Sequence, residues 1–321
     1  MKNFWATLPQ PFIVGAPMDD VTDVAFRTII ARRGKPHVTF TEFTSADGLV
    51  RAPAEGQRKL RSKLRFSEIE RPIVAQLFSS VPEYMEHAAK IVQELGFDGV
   101  DINMGCPVDA VNNQGCGAAL IKNPALAREL IRAAKRGAPQ IPVSVKTRIG
   151  WNQDTLEDWA RELLAEEPAV LTVHARTRKE MSKVPAQWGA VARAVALRDA
   201  MGVSTLIVGN GDVKNVREAQ QRFEETHCNG VMIGRGMFGN PWYGTDYQPT
   251  PREKIEALIE HTEEDQKQFA DIKSFALMKK HFGSYIAGWS NASDLRTALM
   301  QVDDAAAALL LLRTARDSMD A

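Results

Sequence analysis

Between residues 12 and 233 the chain repeats one alternation eight times, a short apolar, β-rich run followed by a stretch of helical periodicity. The runs fall at 12–16, 38–41, 73–77, 99–103, 143–146, 170–174, 206–210 and 230–233. Most lack the in–out alternation of a half-exposed strand, so both faces must be covered, as in parallel strands lying beneath helices. The intervening helical patterns, for example at 82–95, 124–135, 156–165 and 213–223, make crossovers long enough for parallel pairing. Pro82 and Pro124 suit first-turn positions, with Ser80 and Asn123 as nearby caps. Eight such units make an α/β fold, a closed (β/α)8 barrel. An open doubly wound sheet competes, but the first run leads into Pro17-Met18-Asp19-Asp20 and not into a glycine-rich nucleotide loop.

The chain is 321 residues long, and such a barrel takes about 250. Segment 240–251 is rich in Pro, Gly and aromatic residues and reads as a linker, and helical patterns follow at 254–269, 272–285 and 295–316. The expectation is a barrel domain at 1–245 and a helical domain at 246–321, the latter small enough to need docking on the barrel. Net charge is zero, so the whole chain lacks the electrostatic footprint of a nucleic-acid binder. Residues 1–249 hold 31 Lys+Arg against 28 Asp+Glu, and residues 250–321 hold 9 against 12, so the tail is weakly acidic. One basic cluster stands out, Arg58, Lys59, Arg61, Lys63 and Arg65, which is a solvated face first and an RNA contact second.

At 44% hydrophobic and 25% charged residues, the composition excludes a disordered or fibrous chain. There is no apolar run of roughly 18 residues, and the start lacks a basic-then-apolar leader, so a cytoplasmic protein away from membranes is expected. The three cysteines, Cys106, Cys116 and Cys228, have no framework spacing and form no C-x-x-C pair, so neither disulfides nor a bound metal is expected.

In a barrel the chemistry gathers where the strands end. Those ends here carry Gln76, Asn103 followed by Gly105-Cys106-Pro107, Lys146, His174, Asn210-Gly211-Asp212 and Gly234-Arg235. The last two groups, at adjacent strands, suit a phosphate: glycine lets backbone N–H groups approach an anion, arginine grips two oxygens, and a helix opening at Val213 would add its N-terminus. Ordinary turns with Asp212 as a helix cap are the other reading. Lys146 would point into the mouth and stabilise negative charge, although barrels also use such lysines for Schiff bases. His174 is raised above a structural histidine only by its strand-end position. Cys106 sits in a Gly-Cys-Pro turn, a shaped loop and not a packed core; Cys116 in the same loop reads as structural.

These residues resemble the tRNA-dihydrouridine synthase family of the bacterial type. Its pattern is recognisable in APMDDVTDVAFR at 16–27, VAQLF at 74–78, GVDINMGCPVDAVNNQGCGAALIKNP at 99–124, VSVKTRIGW at 143–151, TVHARTR at 172–178, IVGNGDV at 207–213 and GVMIGRGMFGNPW at 230–242. The tail, including Leu277-Met278-Lys279-Lys280-His281, is similar to the family's RNA-binding domain. Asp19-Asp20 depart from the small residues that many relatives carry there.

The resemblance implies FMN across the barrel mouth, re-reduced by NADPH or NADH, and tRNA as substrate. Pro17, Met18 and Asp19 would contact the flavin, and Gln76 and Lys146 would bond its ring. Asn210, Gly211 and Asp212 would line the ribityl and phosphate side, with Gly234 and Arg235 on the phosphate. Asn103, His174 and Arg176 would face the uracil, His174 also touching the cofactor; Cys106 would donate the proton; Lys279 and Lys280 would contact tRNA. The implied reaction saturates the C5=C6 bond of uridine, with hydride to C6 and a proton to C5. Two alternatives stay open: an FMN oxidoreductase of a free pyrimidine, similar to dihydroorotate dehydrogenase, and a catalytically silent tRNA-binding protein.

Overall fold

The structure, a computed structural model, describes residues 3–319. The outermost residues of the two expected domains, 1–2 and 320–321, lie outside the described residues. Nine strands form one sheet: β1 (Phe12–Gly15), β2 (Thr39–Phe40), β3 (Thr44–Ser45), β4 (Ile73–Phe78), β5 (Gly99–Met104), β6 (Val143–Arg148), β7 (Val170–His174), β8 (Leu206–Asn210) and β9 (Gly230–Ile233). The spatial order is β1-β9-β8-β7-β6-β5-β4-β2, with β3 a short addition beside the end of β4. A parallel bridge between Val14 and Val38 joins the two ends, with Gly15 N–H donating to the Val38 carbonyl at 2.9 Å. Eight strands thus close into the expected barrel.

Among the described residues, thirteen α-helices accompany the sheet. Nine of them, α1 (Val24–Arg33), α2 (Ala46–Arg51), α3 (Ala54–Lys63), α4 (Pro82–Glu94), α5 (Asp109–Asn112), α6 (Pro124–Gly137), α7 (Leu156–Leu164), α8 (Gly189–Met201) and α9 (Val216–Thr226), connect the strands. Four follow, α10 (Pro251–Phe269), α11 (Lys279–Tyr285), α12 (Ala292–Gln301) and α13 (Ala305–Asp317). Among the described residues no helix is long and apolar enough to cross a membrane.

Local chemistry sets the ends. Asn123 caps α6, its Oδ1 accepting from Leu126 N–H at 3.2 Å with Pro124 at the first position. Pro82 opens α4 as expected, but Val81 precedes it without a side-chain cap, and Ser80 instead donates to the Gln114 carbonyl at 2.8 Å. The helix expected to open at Val213 begins at Val216, because Asn215 is the residue that caps it, accepting from Glu218 N–H at 2.9 Å. No helix N-terminus therefore stands at Asp212-Val213. The tail pattern at 295–316 is two helices: Asp304 caps α13 through Ala307 N–H at 2.8 Å and ends any continuous run.

Strand register places the site. Gln76 pairs with Asp101 and Asp101 with Ser144; two residues higher Asn103 pairs with Lys146; two higher again Arg148 pairs with His174 and His174 with Asn210. Because side chains two apart on a strand share a face, these residues climb one inner wall. Helices α10 to α13 bury a second apolar cluster, including Ile255, Leu258, Phe282, Leu299 and Leu312, into which Ile29 of α1 is inserted.

Candidate active site

One cavity of about 700 Å³ opens at the C-terminal ends of the strands. Every residue expected from sequence at the flavin or the uracil lines it: Pro17, Met18, Asp19, Gln76, Asn103, Cys106, Lys146, His174, Arg176, Asn210, Gly211, Asp212, Gly234 and Arg235. Lys279 and Lys280 do not. Lys279 is half-buried and donates to the Met300 carbonyl at 3.0 Å, whereas Lys280 is exposed.

At the floor, Gln76 Nε2 donates to Asp101 Oδ2 at 2.7 Å and Ser144 Oγ donates to Asp101 Oδ1 at 2.6 Å. Gln76 Oε1 in turn accepts from Asn103 Nδ2 at 3.1 Å, so each buried polar group is partnered. Asn103 Oδ1 accepts the N–H groups of Gly105 and Cys106 at 3.1 and 2.9 Å. One side chain thereby sets the turn that carries the thiol. Cys106 is 9% exposed, and burial pushes its thiol above the ordinary range, so it is protonated at neutral pH.

Lys146 donates to Asn210 Oδ1 at 3.1 Å, while Asn210 Nδ2 donates to the Met232 carbonyl at 2.8 Å. Burial, helped by the Arg148 charge, lowers the Lys146 ammonium to about 8. Asp101 is buried below it and raised to about 6, also by burial. His174 is held well below its usual range by burial and by Lys146, Arg148, Arg176 and Arg235, so its ring is neutral.

The rim is fixed by arginines. Asp212 bridges Arg176 and Arg235: its Oδ2 pairs with Arg176 Nη2, and its Oδ1 lies 2.6 Å from Arg235 Nη2. Asp212 also accepts from Ala186 N–H at 2.9 Å, and the Arg176 hydrogen bond foremost keeps its carboxyl below the usual range. Trp188 Nε1 donates to the Gly211 carbonyl at 2.9 Å and pins the same loop from behind.

Sequence reasoning missed four residues here, two on strands and two on loops. Arg148 lines the cavity, donating from Nε to the Gly105 carbonyl at 2.8 Å and from Nη1 to the Thr177 and Met181 carbonyls at 3.0 and 2.9 Å. Burial lowers its guanidinium to about 10. Arg148 lies two residues beyond Lys146 and Asp101 two before Asn103, so strand alternation alone would have found both. Phe43 and Ser182 reach the cavity from loops, where no sequence pattern pointed to them.

Asp19 and Asp20 acquire a physical account. Asp19 pairs with Lys63, and Asp20 N–H donates to Glu42 Oε1 at 2.7 Å. The Asp19, Asp20 and Glu42 oxygens lie within 4.8 Å of one another, and Lys63 and Lys273 approach Glu42 at 3.7 and 3.6 Å. Lys273 of the tail is turned inward: its side chain is 13% exposed and sits 3.0 Å from Asp23 Oδ2. The basic cluster is also largely spoken for. Arg58 donates to the Asp271 carbonyl at 3.1 Å, Arg65 to the Gln268 carbonyl, and Lys59 pairs with Glu55 at 3.0 Å. Arg58 and Arg65 tie this segment to the helical tail, Lys59 pairs within α3, and Arg58, Lys59, Arg61 and Arg65 all remain exposed.

Comparison with known proteins supplies an independent line. Residues 14–320 match the family model described as dihydrouridine synthase. A probable tRNA-dihydrouridine synthase of Staphylococcus aureus (strain COL) is 39% identical over 324 residues, covering 99% of this chain and 97% of the relative. Probable tRNA-dihydrouridine synthase 2 of Bacillus subtilis (strain 168) is 40% identical over 304 residues, 93% of this chain and 92% of the relative. Among solved structures, a 2-naphthoyl-CoA reductase complex superposes with a TM-score of 0.55 at 10% identity, over 72% of this chain and 49% of that one. A morphinone reductase mutant in complex with tetrahydroNAD gives 0.51 at 14% identity, over 77% and 91%. At such identity these two speak for the shared barrel fold alone.

Proposed function

Since the chain belongs to the dihydrouridine synthase family, we propose that it reduces the C5=C6 bond of defined uridines in tRNA with FMN as its flavin and NADPH or NADH as reductant. The observation that carries this reading is a protonated thiol and an ammonium in one cavity. Cys106 and Lys146 both line it, the first held as a thiol by burial and the second charged below about pH 8.

The cavity suits FMN by size and by donor set. A volume of about 700 Å³ lies within the usual range for a ligand of this size. One end presents amides and the Lys146 ammonium, which suit a polar ring edge; the other presents Arg235 with Gly234 and Gly236, which suit a phosphate. At Gly236 an added Cβ would stand 2.3 Å from the Lys214 carbonyl, so only glycine fits that close approach. In this reading Pro17, Met18, Asp19, Gln76, Lys146 and His174 border the ring, and Asn210, Gly211 and Asp212 the ribityl chain. Reduced FMN supplies the hydride that goes to uracil C6.

The protein's own work is positioning and proton delivery. Negative charge grows toward the ring oxygens as C6 receives hydride, and Lys146, Arg148 and Asn103 are the donors that counter it. Cys106 gives its proton to C5, a task for which a thiol pushed above the ordinary range is in the right state. The target base must leave the RNA stack, at a cost of a few kcal/mol. Residues 246–321 form the tRNA-binding domain beside the barrel at 1–245, with Lys279 and Lys280 on phosphate, and the protein works in the cytoplasm.

The purified protein should be yellow and should oxidise NADPH in the presence of unmodified tRNA. Free uridine or orotate should leave it idle. Turnover on a free pyrimidine but not on tRNA contradicts the proposal and favours the free-pyrimidine oxidoreductase; a colourless protein that binds tRNA without turnover favours the silent binder.

A further inference from the structure

Three side chains on the wall of the cavity are joined in series, and the joining fixes the position of one proton. Arg176 is 2% exposed. Its Nε donates to the Val184 carbonyl at 2.6 Å, its Nη2 pairs with Asp212, and its Nη1 lies 3.2 Å from His174 Nε2. A guanidinium offers donors only and keeps its charge in proteins, so the lone pair in the last contact belongs to Nε2. A neutral imidazole whose Nε2 is bare carries its proton on Nδ1. Among the described residues, hydrogen bonds to the His174 side chain involve Nε2 and not Nδ1, and His174 lines the cavity.

We propose that Arg176 is a positioning residue that holds His174 in the Nδ1–H tautomer, so that the imidazole presents a hydrogen-bond donor to the bound ring system. The partners on the far side keep Arg176 in place. Asp212 takes Nη2 on one oxygen and Arg235 on the other at 2.6 Å, and the Val184 carbonyl takes Nε. The surrounding cations, Lys146, Arg148, Arg176 and Arg235, together with burial, keep the ring from taking a second proton. This gives Arg176 a different task from direct contact with uracil. It also connects Arg235, expected at the phosphate, to His174 through the Asp212 carboxylate and the Arg176 guanidinium. A donor at Nδ1 can serve a carbonyl oxygen of the flavin or the uracil, whereas a bare Nδ1 would repel it.

The inference rests on reading the cavity as a flavin and uracil site, but its deciding readout is a spectrum that needs no turnover, so the two can fail separately. The purified full chain, labelled with 15N at histidine, is examined by long-range 1H–15N correlation from mildly acidic to mildly alkaline pH. His174→Gln identifies the His174 signals by their loss. The expected spectrum shows Nδ1 protonated and Nε2 bare across that range. Arg176→Met should give the opposite tautomer or an average of the two, and Arg176→Lys should restore much of the original pattern. In the same variants kcat should fall roughly 10²-fold for Arg176→Met with the flavin still bound, the size of one misdirected donor. A wild-type His174 protonated at Nε2 overturns the proposal even if the variants do not fold. An Arg176→Met spectrum identical to wild type overturns it as well.

Discussion

Cys106 and Lys146 line the same cavity, and burial acts on them in opposite senses. It raises the thiol and lowers the ammonium to about 8, because each loses stability in the charged form when water is removed. A pH limit follows. Lys146 sheds its proton above about pH 8, before the raised thiol does, so kcat/KM should fall on the alkaline side with an apparent break near 8. Lys146→Arg should move that break upward, at lower absolute rate; a profile flat to pH 10 in wild type would contradict the role given to Lys146. Asn103 offers a second prediction. Its Oδ1 holds the Gly105 and Cys106 N–H groups, so Asn103→Ala should cost about 1–3 kcal/mol in urea unfolding as well as activity. Most of these residues were legible from sequence because a polar side chain ending an apolar strand has few structural uses. Arg148 was not, since the attention paid to strand ends stopped at Lys146, and the β6 strand runs two residues further.

The strands of the barrel were legible almost to the residue, since each is a buried run bounded by polar or turn residues. Helix starts were less so. Val213 follows the strand end at once, but Asn215 supplies the cap, and only a cap chooses among several possible first turns. The tail run at 295–316 concealed its break because Ala305 to Leu312 is apolar on every side, which removes the periodicity that would mark a new helix. Two predictions belong to packing between elements. In β8 an added Cβ at Gly209 would stand 2.3 Å from the Trp188 ring, and Trp188 holds the Gly211 carbonyl. Gly209→Ala should therefore cost roughly 1–3 kcal/mol and weaken flavin retention, measured by urea melts and by bound-flavin absorbance. Where α10 and α11 meet α1, His261 and His281 lie buried with ring centroids 4.7 Å apart, beside Phe26. Burial lowers His261 to about 4 from 6.5, and Asp23 opposes that only in part. The folded state therefore binds fewer protons than the unfolded chain between those values, and stability must fall as pH drops through that window, by up to roughly 3 kcal/mol. Urea midpoints taken between pH 7 and 4.5 should decline, and His261→Phe should flatten the decline.

Taken whole, the molecule is a neutral chain proposed to act on a polyanionic substrate, and the structure shows where its positive charge is spent. Arg58, Lys63, Arg65 and Lys273 tie α3, the first loop and the tail together, which is a use of basic residues that composition cannot distinguish from RNA contact. Lys280 stays exposed. Lys279→Glu with Lys280→Glu should therefore raise the KM for tRNA several-fold and leave kcat at saturation near wild type, with a shallower salt dependence of binding. A doubled mutant with unchanged KM would move the RNA surface elsewhere on the molecule.

The most direct test of the central claim is the dihydrouridine content of each tRNA position, read by mass spectrometry in cells with and without this gene. Loss is expected at a defined position, restored by the wild-type chain and not by Cys106→Ala. Full restoration by Cys106→Ala would remove Cys106 from the reaction. Unchanged dihydrouridine at every position, in cells where no second synthase acts on the same sites, would contradict the reading of this protein as a tRNA-dihydrouridine synthase.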